Sequence, residues 1–157
     1  MVSLNFFYIV YGRSLQIDIH DETSGYFQTL LDLLVQGNRD PHDGVINRLA
    51  KHDAWSFSDK KLWKSNELQF KNIFGFRSYL QLRQTFIEFF NLCNYDIEKR
   101  IQEMGFSRDF EKGLLQIVKR AKSKSGFFAD RLYNNMNDPR TLTRIIVSRS
   151  EIDLEDI

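Results

Sequence analysis

Two stretches of this chain repeat each other in order, and that repetition limits the fold more than any single motif. Ser24-Gly25-Tyr26-Phe27…Leu31…Leu34-Val35 returns as Ser107-Arg108-Asp109-Phe110…Leu114…Ile117-Val118, 83 positions later. Ile73…Arg77-Ser78…Leu80…Leu82 returns as Ile145…Arg149-Ser150…Ile152…Leu154, 72 positions later. Self-similarity at periods of this order marks an array in which each unit buries its apolar face against its neighbours. The offsets differ because linkers vary, while the order of elements is kept. The spacing predicts a helical repeat array caught between repeat boundaries at both ends.

Periodicity makes the units helical. From Ser78 to Leu92, the residues Leu80, Leu82, Phe86, Phe89, Phe90 and Leu92 form a broad apolar face, with Arg83 and Glu88 outside it. Ser78 with Gln81 has the form of a capping box where that pattern begins. A second helix is predicted from Ser107 to Lys122, with Phe110, Leu114, Leu115, Ile117 and Val118 inward. Shorter helices fit Leu15 to His20, Gly25 to Gln36, Val45 to Asp59, Glu67 to Phe76 and Asp96 to Glu103. Two more fit Phe127 to Met136 and Arg140 to Arg149, and Ser150 with Asp153 predicts a further start. No run of period-two alternation argues for a strand. With only two prolines, Pro41 and Pro139, long stretches are left uninterrupted, and fourteen phenylalanines are set to dominate the core.

Charge and cysteine content remove several classes. Lys plus Arg total 22 against 21 Asp plus Glu, a net charge of +1, which argues against a dedicated duplex-binding domain and predicts no nucleic-acid partner. Cys93 is the single cysteine, so a disulfide framework and a cysteine-based structural zinc site are excluded. Its place at the end of the aromatic helix predicts a buried thiol. His20, His42 and His52 lack metal-ligand spacing. No run approaches the roughly 18 apolar residues that span a bilayer. The opening Val2 to Val10 is apolar but has no basic n-region, so it reads as the end of a buried helix rather than a signal peptide. A soluble, intracellular chain is expected.

Longer strings carry a family resemblance. Tyr11-Gly12-Arg13-Ser14-Leu15, Glu22-Thr23-Ser24-Gly25-Tyr26-Phe27 and Gln36-Gly37-Asn38-Arg39-Asp40 resemble the closing helices of an annexin repeat. Phe127-Phe128-Ala129-Asp130-Arg131-Leu132-Tyr133 and Val147-Ser148-Arg149-Ser150-Glu151-Ile152-Asp153-Leu154 resemble the opening of the last annexin repeat. The resemblance runs from Tyr11 to Ile157. It implies an all-α, right-handed superhelical stack of short helices, present as an incomplete array. Residues 1–40 would be the C-terminal part of one repeat, 41–122 a complete repeat, and 123–157 the N-terminal part of a further one.

The resemblance also implies a chemistry. Annexins bind calcium through an interhelical Gly-x-Gly-Thr loop whose backbone carbonyls converge, closed by a carboxylate from a later loop, and the ion bridges to anionic phospholipid. Calcium takes six to eight oxygens, and the loop glycines adopt backbone angles that a Cβ disfavours. Here the loop of the complete repeat is Lys61-Leu62-Trp63-Lys64-Ser65-Asn66-Glu67, with Lys64 at the closing glycine position. The carried-over ligands are the carbonyls of Leu62 and Lys64 with the carboxylate of Glu103. In the last repeat the loop shortens to Met136-Asn137-Asp138-Pro139 without glycine, and Glu22 matches an acidic ligand whose partner loop lies outside the chain. Both departures predict weak or lost calcium binding.

Trp63 reads either as a tip that enters the lipid interface or as a partly buried loop anchor. Lys60, Lys61 and Lys64 flank it and suit an anionic leaflet. The run Lys119-Arg120-Ala121-Lys122-Ser123-Lys124 reads as a solvated helix end that complements the helix dipole. Arg77 and Arg149 are expected to make buried ion pairs. No phosphate loop, nucleophile elbow or zinc-protease signature is present, so no enzyme is predicted. The chain therefore reads as a cytoplasmic, peripherally membrane-associated phospholipid-binding module of annexin type, calcium-dependent in the family but with degenerate loops here. The alternative is a helical interaction or scaffold element without membrane or calcium binding. Expected partners are an anionic phospholipid surface and, through the apolar residues Leu4, Phe6, Phe7, Ile9 and Val10 at the start and Ile145, Ile146 and Leu154 at the end, further copies of the chain.

Overall fold

Short polar side chains start most of the helices. Ser14, Ser78, Ser123 and Asp138 each accept a hydrogen bond from a backbone amide two or three residues further on, satisfying a donor that the first helical turn leaves unpaired. The computed structural model describes residues 2–42, 44–59, 61–62 and 72–157. Before the gap in the description lie α1 (Val2–Tyr11), α2 (Leu15–Glu22), α3 (Gly25–Gln36) and α4 (Asn47–Ser58). After it come α5 (Tyr79–Cys93), α6 (Ile97–Glu103), α7 (Arg108–Lys122), α8 (Lys124–Asn134) and α9 (Pro139–Arg149). A π turn (Asn72–Phe76) precedes α5, and a 3-10 turn (Leu154–Asp156) follows α9. No strand occurs among the described residues. Gly37 and Asn94 end α3 and α5 in the left-handed conformation, at φ +67° and +59°, as helix C-termini commonly do.

The core sits where α4, α5, α6 and α7 meet. Phe57, Phe74, Leu82, Phe89, Ile97, Ile101, Leu114 and Val118 are all at most 2% exposed. Phe74 links two rings, with centroids 5.4 Å from Phe57 and 6.2 Å from Phe86. Helix α3 docks on this unit at close range. A Cβ on Gly113 would meet the Leu30 side chain at 3.1 Å, and one on Gly75 would meet Leu33 at 3.1 Å. Phe27 and Leu30 of α3 join the same cluster.

Several expectations hold at the level of single groups. Arg77 grips the buried Asp53 through Nε at 2.8 Å and Nη2 at 3.3 Å. Arg149 reaches Asp153 through Nε at 2.6 Å, a pair that forms as expected but is half-buried rather than buried. Phe110, Leu114, Ile117 and Val118 are buried on α7, and Leu115 packs against them.

Others need correction. Leu80, Phe90 and Leu92 are 42%, 46% and 54% exposed, because α5 presents Leu82, Thr85, Phe86 and Phe89 to its neighbours and the apolar arc is narrower than the composition suggests. The capping box at Ser78 is one-sided: Gln81 turns to Ile46 instead, accepting from its amide at 2.8 Å and donating to its carbonyl at 3.2 Å. No helix starts at Ser150. That residue closes α9, its hydroxyl donates to the Val147 carbonyl, and Asp153 is drawn to Arg149 and Lys124. The opening helix is not buried: Ile9 and Val10 are 78% and 52% exposed, as the self-association reading expects of them, and α1 packs on α2. Ile145, expected to be uncovered, is buried where α9 packs on α8. Cys93 is a free thiol that is half-buried rather than buried. Of the expected helix Glu67 to Phe76, residues 67–71 lie outside the described residues.

Candidate functional site

At the exit of α4 the chain is shaped by its own polar groups. Asp59 Oδ1 accepts a hydrogen bond from the Lys61 amide at 2.8 Å, a cap on Lys61 and Leu62, which are helical rather than part of the expected loop. Lys61 is exposed and Leu62 half-buried. The remaining loop candidates Lys60, Trp63 and Lys64 lie outside the described residues. Beneath this exit lies Arg100 of α6, only 5% exposed. Its Nη2 donates to the Ser58 carbonyl at 3.1 Å, and its Nη1 stands 3.8 Å from Glu103 Oε2. One guanidinium thus ties the end of α4 to the acidic residue carried over as a calcium ligand. The same contact compromises that role, since a cation beside the carboxylate repels a second one.

Of the carried-over calcium ligands, Leu62 and Glu103 are among the described residues and Lys64 is not. No three His, Cys, Asp or Glu side chains gather into a metal-sized group among the described residues. The shortened loop before α9 is filled differently. Asp138 accepts from the Arg140 amide at 3.1 Å and from the Thr141 hydroxyl at 2.5 Å. The Thr141 bond, aided by the amides of Arg140 and Thr141, holds the Asp138 carboxyl below its ordinary pKa. Its charge serves the helix start. Glu22 ends α2 as an exposed side chain.

The basic helix end is more ordered than a solvated terminus. Lys119 pairs with Asp130 at 2.8 Å, Lys122 with Asp96 and Glu98 at 2.9 and 2.7 Å, and Lys124 with Asp153. Arg120 turns instead onto the Tyr79 ring, at 4.7 Å from its centroid. Arg39 was not singled out by sequence, yet it does two jobs. It donates to the carbonyls of Arg77 at 2.5 Å and Phe74 at 2.7 Å, and it lies 4.3 Å from the same Tyr79 ring. Nothing in the local pattern around Arg39 signals those contacts, which span 35 and 38 residues. The histidines each sit beside one carboxylate: His20 with Asp32, His42 with Asp40 and His52 with Asp53.

No protein-family model matches the chain. Annexin A13 of Mus musculus is 41% identical to it over 154 residues, which make up 94% of this chain and 48% of the relative. Annexin A5 of Homo sapiens is 38% identical over 153 residues, with the same shares of each. The chain belongs to the annexin family. Its fold agrees: the solved structure of annexin III superposes with a TM-score of 0.88 at 40% identity, covering 98% of this chain and 49% of that one. A calcium-bound annexin (Sm)1 superposes at 0.78 and 27% identity, covering 94% and 45%. The helices therefore have the all-α annexin-type fold. The chain spans about half the length of the annexins it matches. No helix among the described residues is long and apolar enough to cross a membrane.

Proposed function

We propose that this chain is a peripheral phospholipid-binding module of annexin type, that the loop from Lys60 to Lys64 is its membrane contact, and that its calcium dependence is weak. Residues 41–122 form the complete repeat of this reading, between parts of a preceding and a following one. The observation that carries it is the family match, at 41% identity across 94% of the chain. The Arg100 contact supports the weak calcium dependence, because the carboxylate that would close the shell already faces a guanidinium. The Asp138 cap supports it too, because the second loop spends its acid on a helix start.

The lipid contact draws on physical chemistry more than on coordination. Tryptophan partitions to the membrane interface, and lysines near an anionic leaflet contribute about 1 kcal/mol each. Sedimentation with vesicles of phosphatidylserine and phosphatidylcholine tests the assignment. Trp63→Ala and Lys64→Glu should each reduce the bound fraction, and added salt should do the same by screening. Equal sedimentation of both variants and the parent places the membrane contact on another surface and overturns this assignment.

A further inference from the structure

Beside the core, at the start of α5 and the end of α7, an open cleft of about 870 Å³ gathers positive charge. Its walls come from the segment after α3, the start of α5, the end of α7, the start of α8 and the 3-10 turn. Two helix N-termini meet there. Ser78, Tyr79 and Leu80 open α5, and Ser123, Lys124 and Ser125 open α8. Each cap serine is already occupied with an amide further along, Gln81 and Gly126 respectively. The first amides of both helices are left pointing out of the helix ends, where anions are favoured.

Side chains supply the second, independent observation. Arg39 and Arg120 both lie on the Tyr79 ring, at 4.3 and 4.7 Å. Burial lowers the pKa of each, and the two guanidinium charges oppose one another at Arg39. Arg149 adds a third charge close enough to disfavour that on Arg120. Arg83 on the rim is exposed and has no ion-pair partner among the described residues. The acids do not balance this. Asp153 is shared by Arg149 and Lys124, and Asp40 is taken by His42. Asp156 is the remaining carboxylate on the wall. Like charges held together on one ring and only partly neutralised are costly without a counter-ion. A ligand with several phosphate oxygens would pair guanidiniums in the bidentate way that single halides cannot.

We propose that this cleft binds a multiply phosphorylated small anion directly, without calcium. The proposal is independent of the membrane loop at Trp63, and it draws on the basic run ending α7 that the phospholipid reading leaves unused. The ligand chemistry could come from a soluble polyphosphate or from a phosphorylated lipid headgroup.

Calorimetry on the whole chain in calcium-free buffer tests the site, with inorganic pyrophosphate and inositol trisphosphate as soluble ligands. A third arm uses phosphatidylcholine vesicles carrying phosphatidylinositol bisphosphate. Saturable one-to-one binding is expected, weakened about tenfold by Arg120→Ala and by Arg83→Gln, as for loss of one charge-assisted contact. Lys112→Gln, exposed on α7 and not part of the cleft wall, should leave the affinity unchanged. Arg83 is exposed, so its variant stays informative if Arg120→Ala loosens the Tyr79 stack. Binding of the soluble ligands alone assigns a free polyphosphate, and binding in the vesicle arm assigns a headgroup. Absence of saturable binding in every arm, or equal weakening by Lys112→Gln, overturns the proposal. Trp63→Ala should not alter binding of the soluble ligands, which keeps the outcome separate from that of the membrane assignment.

Discussion

The middle of the chain and its last helices carry matching positions but hold them in different ways. Arg77 reaches across 24 residues to Asp53, a carboxylate that is 1% exposed. Its counterpart Arg149 reaches only four residues along to Asp153. Helix α4 buries Ala50, Asp53, Ala54, Ser56 and Phe57, whereas α8 buries no residue and α9 buries Ile145 alone. The loops differ in a parallel way: Glu103 is held beside Arg100, which is anchored to the end of α4, while Asp138 is spent within its own helix start. Tertiary packing is thus concentrated in α4 to α7. Near both loops, carboxylates that could serve a metal already have protein partners.

Truncating the packed region should give the largest effect. Phe89 is 0% exposed at the meeting of α5 and α6, and Phe89→Ala should cost about 3–5 kcal/mol in chemical denaturation. Asp53→Ala comes next, at about 3 kcal/mol, because it leaves Arg77 half-enclosed without its partner. Ile145→Ala, in the thinly packed last helix, should cost about 2 kcal/mol, the low end for such truncations. A loss at Ile145 as large as that at Phe89 breaks the contrast between the two regions.

The smallest effect concerns pH. Asp138 has a folded-state pKa below its ordinary value, chiefly through the Thr141 hydroxyl. Its contribution is therefore present above the ordinary carboxylate range and is lost as pH falls through the lowered folded-state value. In an NMR titration, Thr141→Ala should move the Asp138 carboxyl up toward the ordinary value. No movement means the acid is not committed to the cap, which leaves it available to a cation.

Helix identity was legible because caps and periodicity are local. Ser78 acts within three residues, and the α7 stripe of Phe110, Leu114, Ile117 and Val118 is a plain 3.6-residue pattern. The caps at Ser123 and Asp138 are as local, yet the basic run and the shortened loop around them drew other readings. What escaped depended on distant chain. Gln81 completes the Ser78 box in sequence, yet Ile46, 35 residues earlier, claims its side chain. Ser150 and Asp153 look like a helix start, yet Lys124 and Arg149 hold the carboxylate elsewhere. The loop assignment at Lys61, Leu62 and Glu103 came from family strings rather than from any local rule. The competing partner of Glu103 is three residues away on the same helix, where an i,i+3 pair of opposite charge could have been read.

Calcium affinity is the most direct measure of whether degenerate loops define this annexin. Calorimetric titration of calcium into the chain, alone and with phosphatidylserine vesicles present, should give half-saturation no tighter than about 100 µM, the range of weak extracellular-type sites. Glu103→Gln should change that value little, because Arg100 already holds the carboxylate. A site tighter than about 100 µM that is lost in Glu103→Gln would contradict the account, since it would mean the loop and Glu103 still close a working calcium shell.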